Sequence, residues 1–133
     1  MDSKEKLALA LDAAEDKRAV DVVVLDVSEL TLMTDYMVIC TGTSNVHIRS
    51  VADGVIETMK EHGYKGVRAE GYNEARWVLL DYGDVVLHIF AEDDREFYRL
   101  EEFWKGAPRL DLSAGSDLSE EEPAAAGAWA ARE

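Results

Sequence analysis

Cysteine occurs once, as Cys40, in a chain of 133 residues. An internal disulfide is therefore impossible, and a reducing cytoplasm fits this usage. Long apolar runs are also missing. No stretch reaches the roughly 18 residues that a membrane-crossing helix needs, so no membrane partner is expected. Residues 1–6 are charged and lack the apolar segment of a secretory signal, which again points to the cytoplasm. Basic residues are scarce: 14 Lys and Arg stand against 28 Asp and Glu, for a net charge of −14. Contact with nucleic acid rests on neutralising phosphates, so direct nucleic-acid binding is not expected. A basic protein partner is the natural complement of such a charge, although acidity also serves plain solubility.

What is present suffices for one domain. Hydrophobic residues make up 47% of the chain, and a domain of this size buries about two thirds of its unfolded surface. A first helix is expected over residues 3–17, with Asp2 and Glu5 as a capping box and Leu7, Leu11 and Ala14 as a narrow apolar stripe. Residues 20–27 and 36–41 read as strands buried on both faces, being continuous β-rich runs. A second helix is expected over residues 45–62, capped by Ser44 and closed by Gly63. Its apolar face is Ile48, Ala52, Val55, Ile56 and Met59. Short strands follow at 66–70, 75–81 and 84–91, the last two joined by a tight turn at Tyr82, Gly83 and Asp84. A last helix over 94–105 carries Phe97, Leu100 and Trp104 and ends at Gly106 and Pro108. The fold class is thus α/β: a single domain over residues 1–106 with a mixed sheet of about five strands packed by helices.

From residue 107 to 133 the composition turns to Ala, Ser, Gly, Asp and Glu, with six acids and two bases. Such a segment buries too little apolar area to offset chain entropy, so an acidic, disordered tail is expected.

Catalytic signatures are absent where they would be needed. The turn Thr41-Gly42-Thr43-Ser44-Asn45 lies between strand and helix but carries neither a Walker A lysine nor a dinucleotide glycine pattern. A nucleotidyltransferase would add two metal-holding carboxylates on one strand face. Asp81 and Asp84 are three residues apart across a turn and do not converge, and the helix offers only Asp53. His47, His62 and His88 have no ligand spacing, so no metal or cofactor is expected. Cys40, mid-strand, reads as a buried structural thiol.

The stretch Glu70 to Gly83 is the unusual one. On a strand, Val78 and Leu80 face the core, while Trp77, Leu79 and Asp81 share the other face. A core face does not readily take Asp81. Trp77 beside Arg76 and Leu79 reads as an interface hot spot, the competing arrangement being Trp77 packed under the last helix.

Four blocks resemble the Iojap-like ribosomal silencing factor family. These are residues 35–44 (DYMVICTGTS), His47 with Ala52-Asp53, Glu70-Gly71 with residues 77–83 (WVLLDYG), and His88-Ile89-Phe90 with Arg95, Tyr98, Leu100-Glu101 and Trp104. The resemblance spans about residues 3–108. It implies a nucleotidyltransferase-like fold without a catalytic site, hence no enzyme. It implies binding to the large ribosomal subunit through large-subunit protein fourteen, which blocks subunit joining and represses translation under nutrient limitation. It also implies a homodimer. Carried onto this chain, the partner surface comprises Trp77, Leu79 and Asp81, with Arg76 and Tyr82 nearby. Glu70, Glu92, Asp93 and Asp94 would face basic partner side chains, and Tyr98 would lie on the same side. Phe97 and Trp104 are expected to pack the last helix. A nucleotide-binding enzyme or a generic dimeric adaptor are the alternatives.

Overall fold

The structure is a computed structural model that describes residues 3–110. The capping-box residue Asp2 and the tail from residue 111 onward lie outside the described residues.

Helix α1 spans Ser3–Asp16 and strand β1 Val20–Asp26. Strand β2 runs Tyr36–Gly42 and helix α2 Asn45–Glu61. Three strands follow: β3 Arg68–Glu70, β4 Trp77–Asp81 and β5 Val85–Ala91. The chain closes with short helices α3 Glu92–Tyr98 and α4 Leu100–Phe103 and strand β6 Arg109–Leu110. The sheet has six strands in the order β3-β4-β5-β2-β1-β6. Only β2 and β5 pair in parallel, with Tyr36 opposite Val85 and Gly42 opposite Ala91. Every other pairing is antiparallel.

One layer of helices covers one sheet face. Leu7, Ala10, Leu11 and Ala14 of α1 and Ile48, Val51, Ala52, Val55 and Met59 of α2 are buried there. They pack on Val24, Val38, Cys40, Val78, Leu80, Leu87 and Ile89, the alternate positions of four strands. Ser44 caps α2 as expected, its hydroxyl accepting from the His47 N–H at 3.0 Å. Beyond the helix, Gly63 takes a left-handed φ of 92°, as a helix-ending glycine does. Central β2 is buried at every residue, as its unbroken apolar run required.

The opposite face is covered only in part. Val23, Leu25, Val27, Met37, Ile39, Phe90 and Ala107 form a second, smaller core on it. Leu100 and Trp104 pack against that core, and Trp77 flanks it. The remainder, on β3 and β4, carries exposed Arg68 and Glu70 and half-buried Leu79 and Asp81.

Two features depart from the sequence reading. A sixth strand lies where the tail was expected to begin. Arg109 pairs with Leu25 and Leu110 with Val24, so the folded region runs past residue 106 to at least Leu110. Burial explains it: Ala107 is fully buried and Leu110 nearly so, and the β1 edge offers free backbone partners. The last helix is also not continuous over 94–105. Arg99 sits in the left-handed region at φ 50° and splits it into α3 and α4. That break turns Leu100 and Trp104 onto the sheet and leaves Phe97 79% exposed rather than packed.

Candidate protein-docking surface

The pairing register places the residues of the second face in rows across the sheet. One row runs Arg68, Asp81, Val86, Met37, Leu25 and Arg109 through all six strands. The next runs Glu70, Leu79, His88, Ile39 and Val23. In a third, Trp77 lies opposite Phe90. Glu70, Trp77, Leu79 and Asp81 therefore share one surface, as strand alternation predicted. Tyr82 does not join them. It packs against the helical layer, and burial raises its phenol to about 12.

Trp77 is neither free nor fully covered. Its ring stacks on Phe90 at 4.9 Å between centroids and meets Tyr98 of α3 at 4.6 Å. Its indole N–H donates to Nδ1 of His88 at 3.0 Å. An indole nitrogen can only donate, so Nδ1 is the accepting nitrogen and the imidazole is neutral. Burial pushes His88 down to about 4, which keeps it neutral. The sequence pointed to either an outward hot spot or a tryptophan under the last helix. In the structure Tyr98 of α3 caps one side of the ring, which stays half-buried.

Of the polar residues assigned to this surface, Arg76 and Asp94 pair with one another, while Glu70 and Asp81 have partners outside the set. Arg76 forms an ion pair with Asp94 at 2.7 Å, which raises its already high pKa. Glu70 accepts from Arg68 at 2.9 Å. Asp81 accepts from the Gly83 N–H in the hairpin turn. Glu92 and Asp93 are exposed on α3 and make no ion pair among the described residues.

Two devices hold the surface in place. Asn45, Arg49 and Asp53 follow one another at four-residue spacing along α2, on one helix stripe. Asn45 donates to the carbonyl of Glu74, Arg49 to that of Asn73, and Tyr72 donates to Asp53. Together they fasten the loop that leads into Trp77. In that loop Gly71 has φ 79°, and a Cβ would collide with the Trp77 carbonyl oxygen. Arg95 is the second device. It donates to the Asp21 carbonyl and the Thr41 hydroxyl and pairs with Glu101 at 2.6 Å, tying α3 and α4 to β1 and β2. Neither device was read from the sequence. The i, i+4, i+8 run of polar residues on α2 was the available signal for the first.

A polar cleft of about 890 Å³ lies beside the Gly42-Thr43-Ser44 turn. Its strand-to-helix turn is occupied by its own structure: His47 accepts from the Thr43 N–H, and Arg95 holds Thr41. The three aspartates weighed for catalysis are apart in role. Asp53 accepts from Tyr72, Asp81 from Gly83, and Asp84 pairs with Lys6 at 2.6 Å. No group of three His, Cys, Asp or Glu side chains suited to a metal occurs among the described residues. Cys40 is fully buried, and burial pushes its thiol up to about 12, an inert state.

Fold and surface together define a small α/β protein with one sheet face covered by helices and the other only partly covered. Comparison with known proteins gives the family. The model for "Ribosomal silencing factor during starvation" matches residues 1–133. The ribosomal silencing factor RsfS of Bacillus subtilis is 42% identical over 115 residues, covering 86% of this chain and 98% of that protein. The chloroplastic protein Iojap of Zea mays is 36% identical over 117 residues, covering 84% of this chain and 50% of that longer one. A crystal structure from Chromobacterium violaceum superposes with a TM-score of 0.77 at 35% identity, covering 88% of this chain and 97% of its own. The chain belongs to the ribosomal silencing factor family. Its relatives are named ribosomal silencing factors, names that state a silencing role and no enzymatic one.

Proposed function

We propose that the protein binds the large ribosomal subunit through large-subunit protein fourteen and thereby blocks joining of the small subunit, chiefly under nutrient limitation, in the cytoplasm. The observation that carries this reading is the half-open sheet face on β3 and β4, where half-buried Trp77, Leu79 and Asp81 follow one another along one face of β4. A partly covered face with an aromatic anchor and a polar rim has the make-up of a protein interface. Glu70, Arg76, Trp77, Leu79, Asp81, Asp93, Asp94 and Tyr98 form the contact surface, and Tyr82 supports it from the helical side. The net charge of −14 favours a basic partner and raises the rate of encounter. The mechanism is steric. A bound domain on the subunit-joining face competes with the small subunit, and only the two binding free energies decide the outcome. A homodimer would use an isologous contact and must leave this face free to dock. Co-sedimentation of the purified protein with isolated large subunits tests the reading. Binding that saturates near one copy per subunit supports it, and no binding at micromolar protein contradicts it.

A further inference from the structure

On the outer side of α3, the contact surface proposed above takes in Asp93 but leaves out the exposed Phe97. Asp94, Arg95 and Tyr98 point inward, as their contacts with Arg76, Thr41 and Trp77 show. Helical spacing then puts Glu92, Asp93, Glu96 and Phe97 on the opposite arc. All four are exposed, Phe97 by 79%. None of the three acids lies within ion-pair distance of a base among the described residues. Phe97 is not an isolated side chain either. It meets Tyr98 edge-on at 5.0 Å, Tyr98 meets Trp77 at 4.6 Å, and Trp77 stacks on Phe90 at 4.9 Å. A chain of four rings thus leads from the buried sheet to solvent, and helical spacing sets Asp93 one turn before its outermost ring.

We infer that the outer face of α3 is part of the docking surface, with Phe97 as an apolar anchor for an arginine- or lysine-bearing protein surface. The inference rests on the docking function proposed above and extends its surface from Asp93 to Phe97 and Glu96 on the outer side of α3. A cation over a phenyl face gains from the ring quadrupole, and adjacent carboxylates hold the same cation. The charge on this face selects the occupant. Phosphates of a nucleic acid would be repelled. A second copy in a two-fold contact would bring the same patch against itself, acid against acid. A basic protein surface meets neither obstacle. The αL break at Arg99 serves this arrangement, because a continuous helix would carry Phe97 to the side that Leu100 and Trp104 bury.

The test compares full-length wild type, Phe97→Ser and Glu96→Lys for binding to purified large subunits, with thermal unfolding of each as a fold control. Both positions are exposed, so both variants should unfold within a few degrees of wild type. We expect Phe97→Ser to bind at least tenfold more weakly. Glu96→Lys should bind more slowly, and its on-rate should fall less steeply with added salt than that of wild type. If wild type binds and both variants bind within twofold of it, the α3 face is not a contact and this inference falls alone. If Phe97→Ser instead converts a wild-type dimer to monomer with unchanged subunit binding, the face is a self-interface and the inference is overturned. If wild type itself does not bind, the docking function fails first and this extension with it.

Discussion

The indole N–H of Trp77 and Nδ1 of His88 share a 3.0 Å hydrogen bond across adjacent strands β4 and β5. The bond uses the only polar atom of the Trp77 side chain, so what remains exposed of it is apolar ring. It also fixes the imidazole as the tautomer protonated at Nε2. That nitrogen is buried and has no hydrogen-bond partner among the described residues. His88 is thus held neutral by burial and by its neighbour.

Stability should therefore depend on pH through His88. Its folded value of about 4 lies below the ordinary 6.5. A lowered value means that the unfolded chain takes up the proton first as pH falls. The stabilising term is fully present above about 6.5 and is lost progressively down to about 4. The gap corresponds to about 3 kcal/mol. Urea unfolding of wild type and His88→Phe between pH 7.5 and 4 should show a steeper acid loss in wild type. Parallel curves for the two proteins would refute this role.

Gly71 should not tolerate a side chain. Its φ of 79° is unfavourable for alanine, and a Cβ would displace the Trp77 carbonyl. Gly71→Ala should cost about 2 kcal/mol or more, read from the denaturation midpoint at unchanged m-value. It should also weaken docking, because the displaced backbone carries Trp77. A neutral effect on both would show that the loop relaxes freely.

Arg95 should act as the fastener of α3 and α4. Arg95→Met removes bonds to the Asp21 carbonyl, the Thr41 hydroxyl and Glu101, and leaves Glu101 without its cation. A loss of about 2–4 kcal/mol is expected for a part-buried pair of this kind. Amide hydrogen exchange should rise first in residues 92–103. Uniform protection there would place the fastening elsewhere.

The edge strand β6 should matter for stability and not for recognition. Leu110→Ala should cost about 2–3 kcal/mol, because Leu110 is nearly buried in the larger core. Ending the chain at Gly106 should cost at least as much, whereas ending it just beyond Leu110 should leave both melting and docking near wild type.

Much of this was legible in sequence. The runs at Val22–Leu25 and Tyr36–Thr41 marked strands, and the tight turn at Gly83 marked the β4–β5 hairpin. Its register did not follow from the turn residues: Tyr82 bonds to Val85, so that Asp81 lies opposite Val86 and Trp77 opposite Phe90. Strand alternation separated Val78 and Leu80 from Trp77, Leu79 and Asp81 correctly. The rest lacked a local signal. Strand β6 is two residues long inside an Ala- and Ser-rich segment, and only its pairing with β1 makes it a strand. The break at Arg99 falls on a residue type that seldom adopts φ 50°, so an unbroken periodic helix was the natural reading, and with it a packed Phe97. Tyr82 looked like a neighbour of Asp81 because it adjoins it in sequence. The turn sends its ring to the opposite layer.

On the proposed function, this face keeps ribosomal subunits apart. Purified subunits, mixed under conditions that favour joining and separated on a sucrose gradient, test it directly. Saturating wild-type protein should move most of the joined peak to free subunits. Leu79→Arg places a cation against a basic partner at a half-buried position, and it should fold yet leave the joined peak intact. A joined peak unchanged by wild type, or abolished equally by Leu79→Arg, would contradict the account.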